Sequence, residues 1–237
     1  MMGKIYRYLV SLNLGLWLMA GVLLFMAIGS FASSGEEGRS LNDLPLFYWL
    51  QEAPLTVSWW LWVTIGLLAL LAVNTVLCSM ESLGKKWERG NFLVRIAPQV
   101  MHLGFLLIMV AHLVSARGSF KQVMEVGEGS TIGFPDGGVV LVERLDAAMG
   151  PMGMPTGYSA RVRTVAGGMA AGTVSPNHPF FHRGFGIYLK EVGFMPAPVA
   201  LVEIHREPGA GWALAGALLF TVGNVALLAV RRGRSLS

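Results

Sequence analysis

Ile96-Ala97-Pro98-Gln99-Val100-Met101-His102-Leu103-Gly104-Phe105-Leu106-Leu107-Ile108-Met109-Val110-Ala111-His112-Leu113-Val114-Ser115 runs for 20 residues without Asp, Glu, Lys or Arg, and its only strongly ionisable groups are two imidazoles. As a helix this stretch is ~30 Å long, the thickness of a bilayer's hydrocarbon core. Pro98 is expected in its first turn, where a missing N–H costs little. Three other stretches meet the same criterion: about Tyr8 to Phe31, about Ser58 to Met80, which opens on Trp59, Trp60 and Trp62, and about Trp212 to Val230. Four spans explain a chain of 237 residues that is 54% hydrophobic and only 14% charged, with a mean hydropathy of +0.56. Soluble domains carry roughly 25% charged residues. Disorder, a coiled coil and a soluble enzyme are excluded. The first apolar stretch is longer than a cleaved signal peptide's core and ends without a small-x-small site, so an uncleaved anchor is expected.

Basic residues set the orientation. Lys4 and Arg7 precede the first span, Lys85, Lys86, Arg89 and Arg95 lie between the second and third, and Arg231, Arg232 and Arg234 follow the fourth. Only Glu81 and Glu88 oppose these nine cations. The connection between the first two spans is acidic instead, with Glu36, Glu37, Asp43 and Glu52 against Arg39. Both termini are therefore expected in the cytoplasm, with a basic cytoplasmic loop at 81–95 and an outer aromatic loop at 32–57. The latter carries Leu44-Pro45-Leu46-Phe47-Tyr48-Trp49-Leu50, expected to lie in the membrane interface as an anchor.

Between the third and fourth spans the composition changes. Glycine and proline recur every few residues from Gly127 to Pro155 and cut the chain into short elements. Strand patterns lie at Val139–Val142, Tyr158–Val165, Gly186–Val192 and Val199–His205, and no helical period lasts ten residues. The expected fold is thus four transmembrane α-helices, with a small, mostly antiparallel, extracytoplasmic β domain between helices three and four. Its segments are 1–117 (three helices), 118–211 (the β domain) and 212–237 (the last helix and a basic tail).

Familiar soluble catalytic motifs are missing, and Gly127-Glu128-Gly129 lacks the Gly-Lys-Ser/Thr of a phosphate loop. The single cysteine, Cys78, excludes an internal disulfide and any multi-cysteine metal site within one chain. The histidines remain. An ionisable group inside a membrane helix is a functional candidate by default, and imidazole is an axial ligand of haem iron. His102 and His112 are ten residues apart, hence ~15 Å along the axis and about 80° around it, so one iron cannot take both. Gly104, close to His102, offers a place where a flat macrocycle could approach the backbone. The plainer reading makes each histidine a hydrogen-bonding group between helices. Asn13, Asn74 and Asn224 read as interhelical glue. In the β domain, His178, His182 and Arg183 form either a site for an anionic group or a structured loop leading into the strand at Tyr188; His205 has no assigned role.

Several of these residues together resemble the ResB (CcsB) family of cytochrome c biogenesis proteins, part of the System II haem-export and attachment machine. They are Ser11-Leu12-Asn13-Leu14-Gly15-Leu16-Trp17-Leu18 and Ile28-Gly29-Ser30-Phe31 in the first span, Asn74-Thr75-Val76-Leu77-Cys78-Ser79 in the second, and His102-Leu103-Gly104 in the third. Glu125-Val126-Gly127-Glu128-Gly129-Ser130 and Asn177-His178-Pro179, with Gly184 and Tyr188, complete the set. The resemblance implies a bacterial inner-membrane subunit that handles haem b in transit. It implies a ResC (CcsA) partner bearing a tryptophan-rich haem loop, with apocytochrome c as a further partner, and no nucleic acid. This chain has no such loop, since Trp59-Trp60-Leu61-Trp62 lies at a span boundary, so it is not expected to attach haem alone. The family's third-span ligand maps best onto His102, with His112 weaker, and the mate would come from the partner. The β domain is short for the family, and Cys78 lies at the wrong end of its helix to reduce apocytochrome outside. Two other readings compete: a b-type cytochrome subunit of a respiratory complex, which would need a histidine on a second helix, and a haem-free membrane scaffold.

Overall fold

The computed structural model describes residues 2–32, 44–85, 92–151, 155–165, 170–193 and 197–235. They form two compact units, Met1–Arg117 with Gly209–Ser237, and Gly118–Pro208. The loop charges Glu36, Glu37, Arg39 and Asp43, and Lys86, Glu88 and Arg89 of the basic loop, lie outside the described residues.

The first unit is helical: α1 (Met2–Leu9), α2 (Leu12–Ala32), α3 (Leu46–Glu52), α4 (Leu55–Lys85), α5 (Phe92–Gly118) and α6 (Ala210–Ser235). Among the described residues, four stretches are long and apolar enough to cross a membrane: Leu12–Ala32, Leu55–Gly84, Phe92–Gly118 and Ala210–Val230. The first span therefore starts later than the expected Tyr8. The helix breaks at Val10 and Ser11 because α4 supplies donors there. The Asn74 amide donates to the carbonyls of Leu9 (2.6 Å) and Ser11 (3.2 Å), and the Cys78 thiol donates to that of Val10 (3.1 Å). Polar side chains thus take up carbonyls that water cannot reach in an apolar setting. Gly15 sits against Asn74, whose Oδ1 would lie 2.7 Å from an added Cβ.

α5 begins at Phe92, four residues before the expected start. Pro98 consequently lies inside the helix rather than in its first turn, and Arg95 is a helical residue rather than a loop residue. The short α3 departs from a simple interfacial anchor. Tyr48 is exposed, but Trp49 and Leu50 are buried against Trp60 and Leu61 of α4, with Phe25 of α2 packed alongside.

α5 and α6 meet along a seam of small residues. Ala97, Gly104 and Ala111 recur every seven residues on α5, facing Gly223, Gly216 and Gly209 on and just before α6. A Cβ on Gly104 would lie 2.6 Å from the Gly216 carbonyl oxygen and from the Phe220 nitrogen; one on Gly216 would lie 2.7 Å from the Gly104 oxygen; and one on Gly223 would lie 2.9 Å from the Ala97 oxygen. At Gly209 the obstacle is the Ala111 carbonyl, and the Gly209 N–H donates to Ser115 Oγ at 3.2 Å. A seven-residue step returns to one face after two turns. Small side chains at that step bring antiparallel backbones close enough for van der Waals attraction to hold them, as membrane helices require.

The second unit holds β1 (Phe120–Gly127), β2 (Thr131–Gly133), β3 (Val139–Met149), β4 (Pro155–Thr164), β5 (Ala171–Val174), β6 (Phe180–His182), β7 (Phe185–Gly193) and β8 (Val199–Arg206). They form two antiparallel four-stranded sheets, ordered β1-β8-β7-β6 and β2-β3-β4-β5. Both sheets feed one core, in which Ile132, Val140, Val174 and Ile204 are completely buried. Two bulges keep the longer strands in phase with it. In β3 the inward positions pass from Val140 and Val142 to Leu145 across a register shift at Glu143; in β7 they pass from Ile187 and Leu189 to Val192 across one at Lys190. Each extra residue switches the parity of the inward positions and keeps Arg144 and Glu191 outside. The unit ends at Pro208 and α6 starts at Ala210, slightly before the expected boundary at 211.

Candidate functional site

His102 lies on α5, about 160° around the helix from the α6 seam. It is half-buried, and its Nδ1 lies 2.8 Å from Ser79 Oγ on α4. When Nδ1–H donates to this hydroxyl, the proton is fixed on Nδ1 and the Nε2 lone pair is left for a metal. Metal-binding histidines are held in this way by an outer partner. Ser79 is the residue that sequence reasoning missed. The available signal was the polar run Asn74-Thr75-Val76-Leu77-Cys78-Ser79 inside an apolar span, and each of its polar groups has a distinct task. Asn74 and Cys78 serve the α1–α2 break, Thr75 Oγ1 donates to the Leu71 carbonyl, and Ser79 holds His102.

Gly104 does not offer the approach expected of it. The α6 backbone fills the space above its Cα, so no macrocycle can lie against it. His102 lies on the face of α5 turned away from that seam. On that side Arg95 and Gln99 occupy the two turns before His102, and Gln99 Oε1 is buried without a hydrogen-bond partner. A cavity of about 240 Å³ opens there, lined by Ser82 and Leu83 of α4 and by Phe92, Arg95 and Ile96 of α5.

His112 is exposed on α5 and shares no site with His102. Of the asparagines, Asn74 bridges elements as expected. Asn224 instead donates to the Phe220 carbonyl of its own helix at 2.9 Å, and Asn13 is exposed.

In the β unit, His178, His182 and Arg183 serve turn geometry. Ser175-Pro176-Asn177-His178 is closed by two backbone hydrogen bonds between Ser175 and His178, with Asn177 at φ +64°. Proline followed by a residue of positive φ is a type II arrangement. Arg183 and Gly184, at φ +49° and +83°, form the two-residue turn between β6 and β7. Positive φ at both positions is the type I′ geometry that suits the twist of a hairpin. His182 packs against the Phe134 ring, and Arg183 lies 3.9 Å from the Asp136 carboxylate. The Asp136 carboxylate faces Arg183, His182 Nε2 is buried without a hydrogen-bond partner, and His178 is exposed in a separate turn. His205 is paired with Glu207 at 3.0 Å. A cleft of about 450 Å³ lies beside this region, between Tyr158, Tyr188, Lys190 and the turn at Ser175–Pro179. The Tyr158 hydroxyl donates to the Lys190 carbonyl at 2.6 Å, and Lys190 Nζ is 3.1 Å from Glu203.

The motif Gly127-Glu128-Gly129 is likewise a turn. At Glu128-Gly129, Gly129 has φ +79°, Glu128 Oε1 accepts the Leu145 N–H at 2.8 Å, and Ser130 Oγ donates to the Gly127 carbonyl.

Residues 88–202 match the ResB-like family. This stretch takes in α5, His102 and most of the β unit. No curated protein matches the chain. Among solved structures the chain is similar to a cytochrome c heme lyase, CcmF, with a TM-score of 0.47 and 12% identity over 90% of this chain and 34% of that one. The chain therefore spans about a third of that protein's length.

Proposed function

Residues 88–202 are ResB-like, and on that premise we propose that the chain is a ResB/CcsB-type subunit of a System II complex. In that role it helps carry haem across the bacterial cytoplasmic membrane for attachment to cytochromes c. A ResC/CcsA-type membrane subunit performs the attachment beside it. The termini lie in the cytoplasm, and the β unit lies outside, where apocytochrome c is the client.

The observation that carries this reading is the pair His102–Ser79. An imidazole inside the family match has one nitrogen engaged at 2.8 Å, which leaves the other for iron. His102 thus fits one axial position of a haem in passage, with the opposite position supplied by the partner. No other span of the chain contains a histidine. Haem is cargo here, so its ligand must exchange, and a half-buried imidazole suits that need better than a sealed one. His112 is the weaker candidate, since it is exposed and ~15 Å along the helix.

The test is a reduced-minus-oxidised visible spectrum of the chain purified with its partner, beside His102→Ala and His112→Ala. A b-type signal lost with His102→Ala, kept with His112→Ala and restored to His102→Ala by added imidazole is expected. A signal indifferent to both substitutions overturns the ligand assignment.

A further inference from the structure

We propose that the cavity lined by Ser82, Leu83, Phe92, Arg95 and Ile96 receives the carboxylates of the haem, with Arg95 as the binding residue. This inference rests on the reading that haem is held at His102. Arg95 and His102 are seven residues apart, so they share a face of α5 and are separated by ~10 Å along its axis. Gln99 stands between them on the same side of the helix, and its buried Oε1 lacks a partner. An imidazole that projects sideways from a helix sets the plane of a bound macrocycle roughly along that helix. One edge of the ring then reaches two turns away, where Arg95 and the cavity lie. The α6 seam closes the other face of α5 at Gly104.

The chemistry is selective. The propionates of haem are the only charged groups on a flat, apolar ring. A guanidinium can take a carboxylate through two parallel hydrogen bonds, which a lysine cannot reproduce. Ser82 adds a hydroxyl donor, while Leu83, Phe92 and Ile96 supply apolar contact for the ring edge. Arg95 thereby fixes which edge of the cargo faces this end of α4 and α5, so that the iron meets His102 in one orientation. A phosphate of an anionic lipid offers related chemistry and is the competing occupant.

The experiment titrates the full chain in nanodiscs of phosphatidylcholine, with and without phosphatidylglycerol, using haem and haem dimethyl ester in the presence of imidazole. Binding is read from the Soret band. Wild type is expected to bind haem roughly tenfold more tightly than the diester, as one charge-assisted contact implies. Arg95→Gln should abolish that preference by weakening haem alone, Arg95→Lys should retain part of it, and phosphatidylglycerol should leave it unchanged. Equal affinity for haem and diester, or equal loss of both in Arg95→Gln, overturns the inference and leaves His102 standing. So does a preference that phosphatidylglycerol removes, which assigns the cavity to lipid. If His102→Ala, titrated without added imidazole, binds both ligands as wild type does, the underlying reading fails and this inference falls with it.

Discussion

At the scale of single residues, the structure turns several sequence features into specific bonds. Ser79→Ala leaves His102 in place but removes the group that orients its ring. Outer-partner mutations of metal ligands typically cost 10–100-fold in affinity, so with haem held at His102 as proposed, Ser79→Ala is expected to weaken its binding by roughly tenfold, and Ser79→Thr, which keeps the hydroxyl, should recover most of it. A Soret titration decides. Arg183 makes a separate case. It holds φ +49° in a turn that asks for positive φ at both positions, a conformation costing an ordinary L-residue about 1–2 kcal/mol and asparagine less. Arg183→Asn also gives up an exposed 3.9 Å contact with Asp136, of little value in water. The balance favours the variant by about 1 kcal/mol. Slower hydrogen exchange of the β6 and β7 amides in the full chain is the expected sign.

Helices and strands show where reading from sequence succeeds and where it stops. The four apolar spans were legible because hydrophobic length needs no partner to be recognised. So were the opening of β3, a β-branched run at Val139–Val142, and much of β4, where side chains alternate in part. The rest of β3 was not, because the bulge at Glu143 reverses the alternation just after Val142, and the three-residue β2 and β6 hold too little pattern to be read. The meaning of Gly104 was also hidden. A glycine in a membrane helix admits either a ligand or another backbone, and only the seven-residue match with Gly216 and its neighbours reveals which. Ser79 was invisible for a related reason: its partner lies 23 residues away on another helix. The seam carries its own test. Gly104→Ala must push a methyl group into backbone atoms that cannot swing aside, costing about 1–3 kcal/mol. Gly66 on α4 has open space around it, and Gly66→Ala should be neutral or stabilising by up to ~1 kcal/mol. Thermal melting of the two variants in detergent should separate them by several degrees, in that order.

For the whole molecule, the proposed orientation predicts which reagents reach which unit. The single cysteine makes the experiment clean: Cys78→Ser retains a donor for the Val10 carbonyl and leaves a chain without thiols. In that background, a membrane-impermeant maleimide added to intact cells should modify Thr173→Cys in β5 and spare Gly84→Cys at the end of α4, while both react after lysis. Reactivity in the opposite sense would invert the topology. The seam between α5 and α6 has a different kind of consequence. Residues 118–208 are inserted between these two helices, and Gly118 and Pro208 adjoin, with Pro208 Cγ 3.2 Å from the position of a Gly118 Cβ. The helical hairpin closes without help from what it carries, and the cost of lengthening a closed insert rises only with the logarithm of its length. Evolution can therefore enlarge, trim or exchange the β unit as a cassette while the helices that flank it in the chain stay as they are.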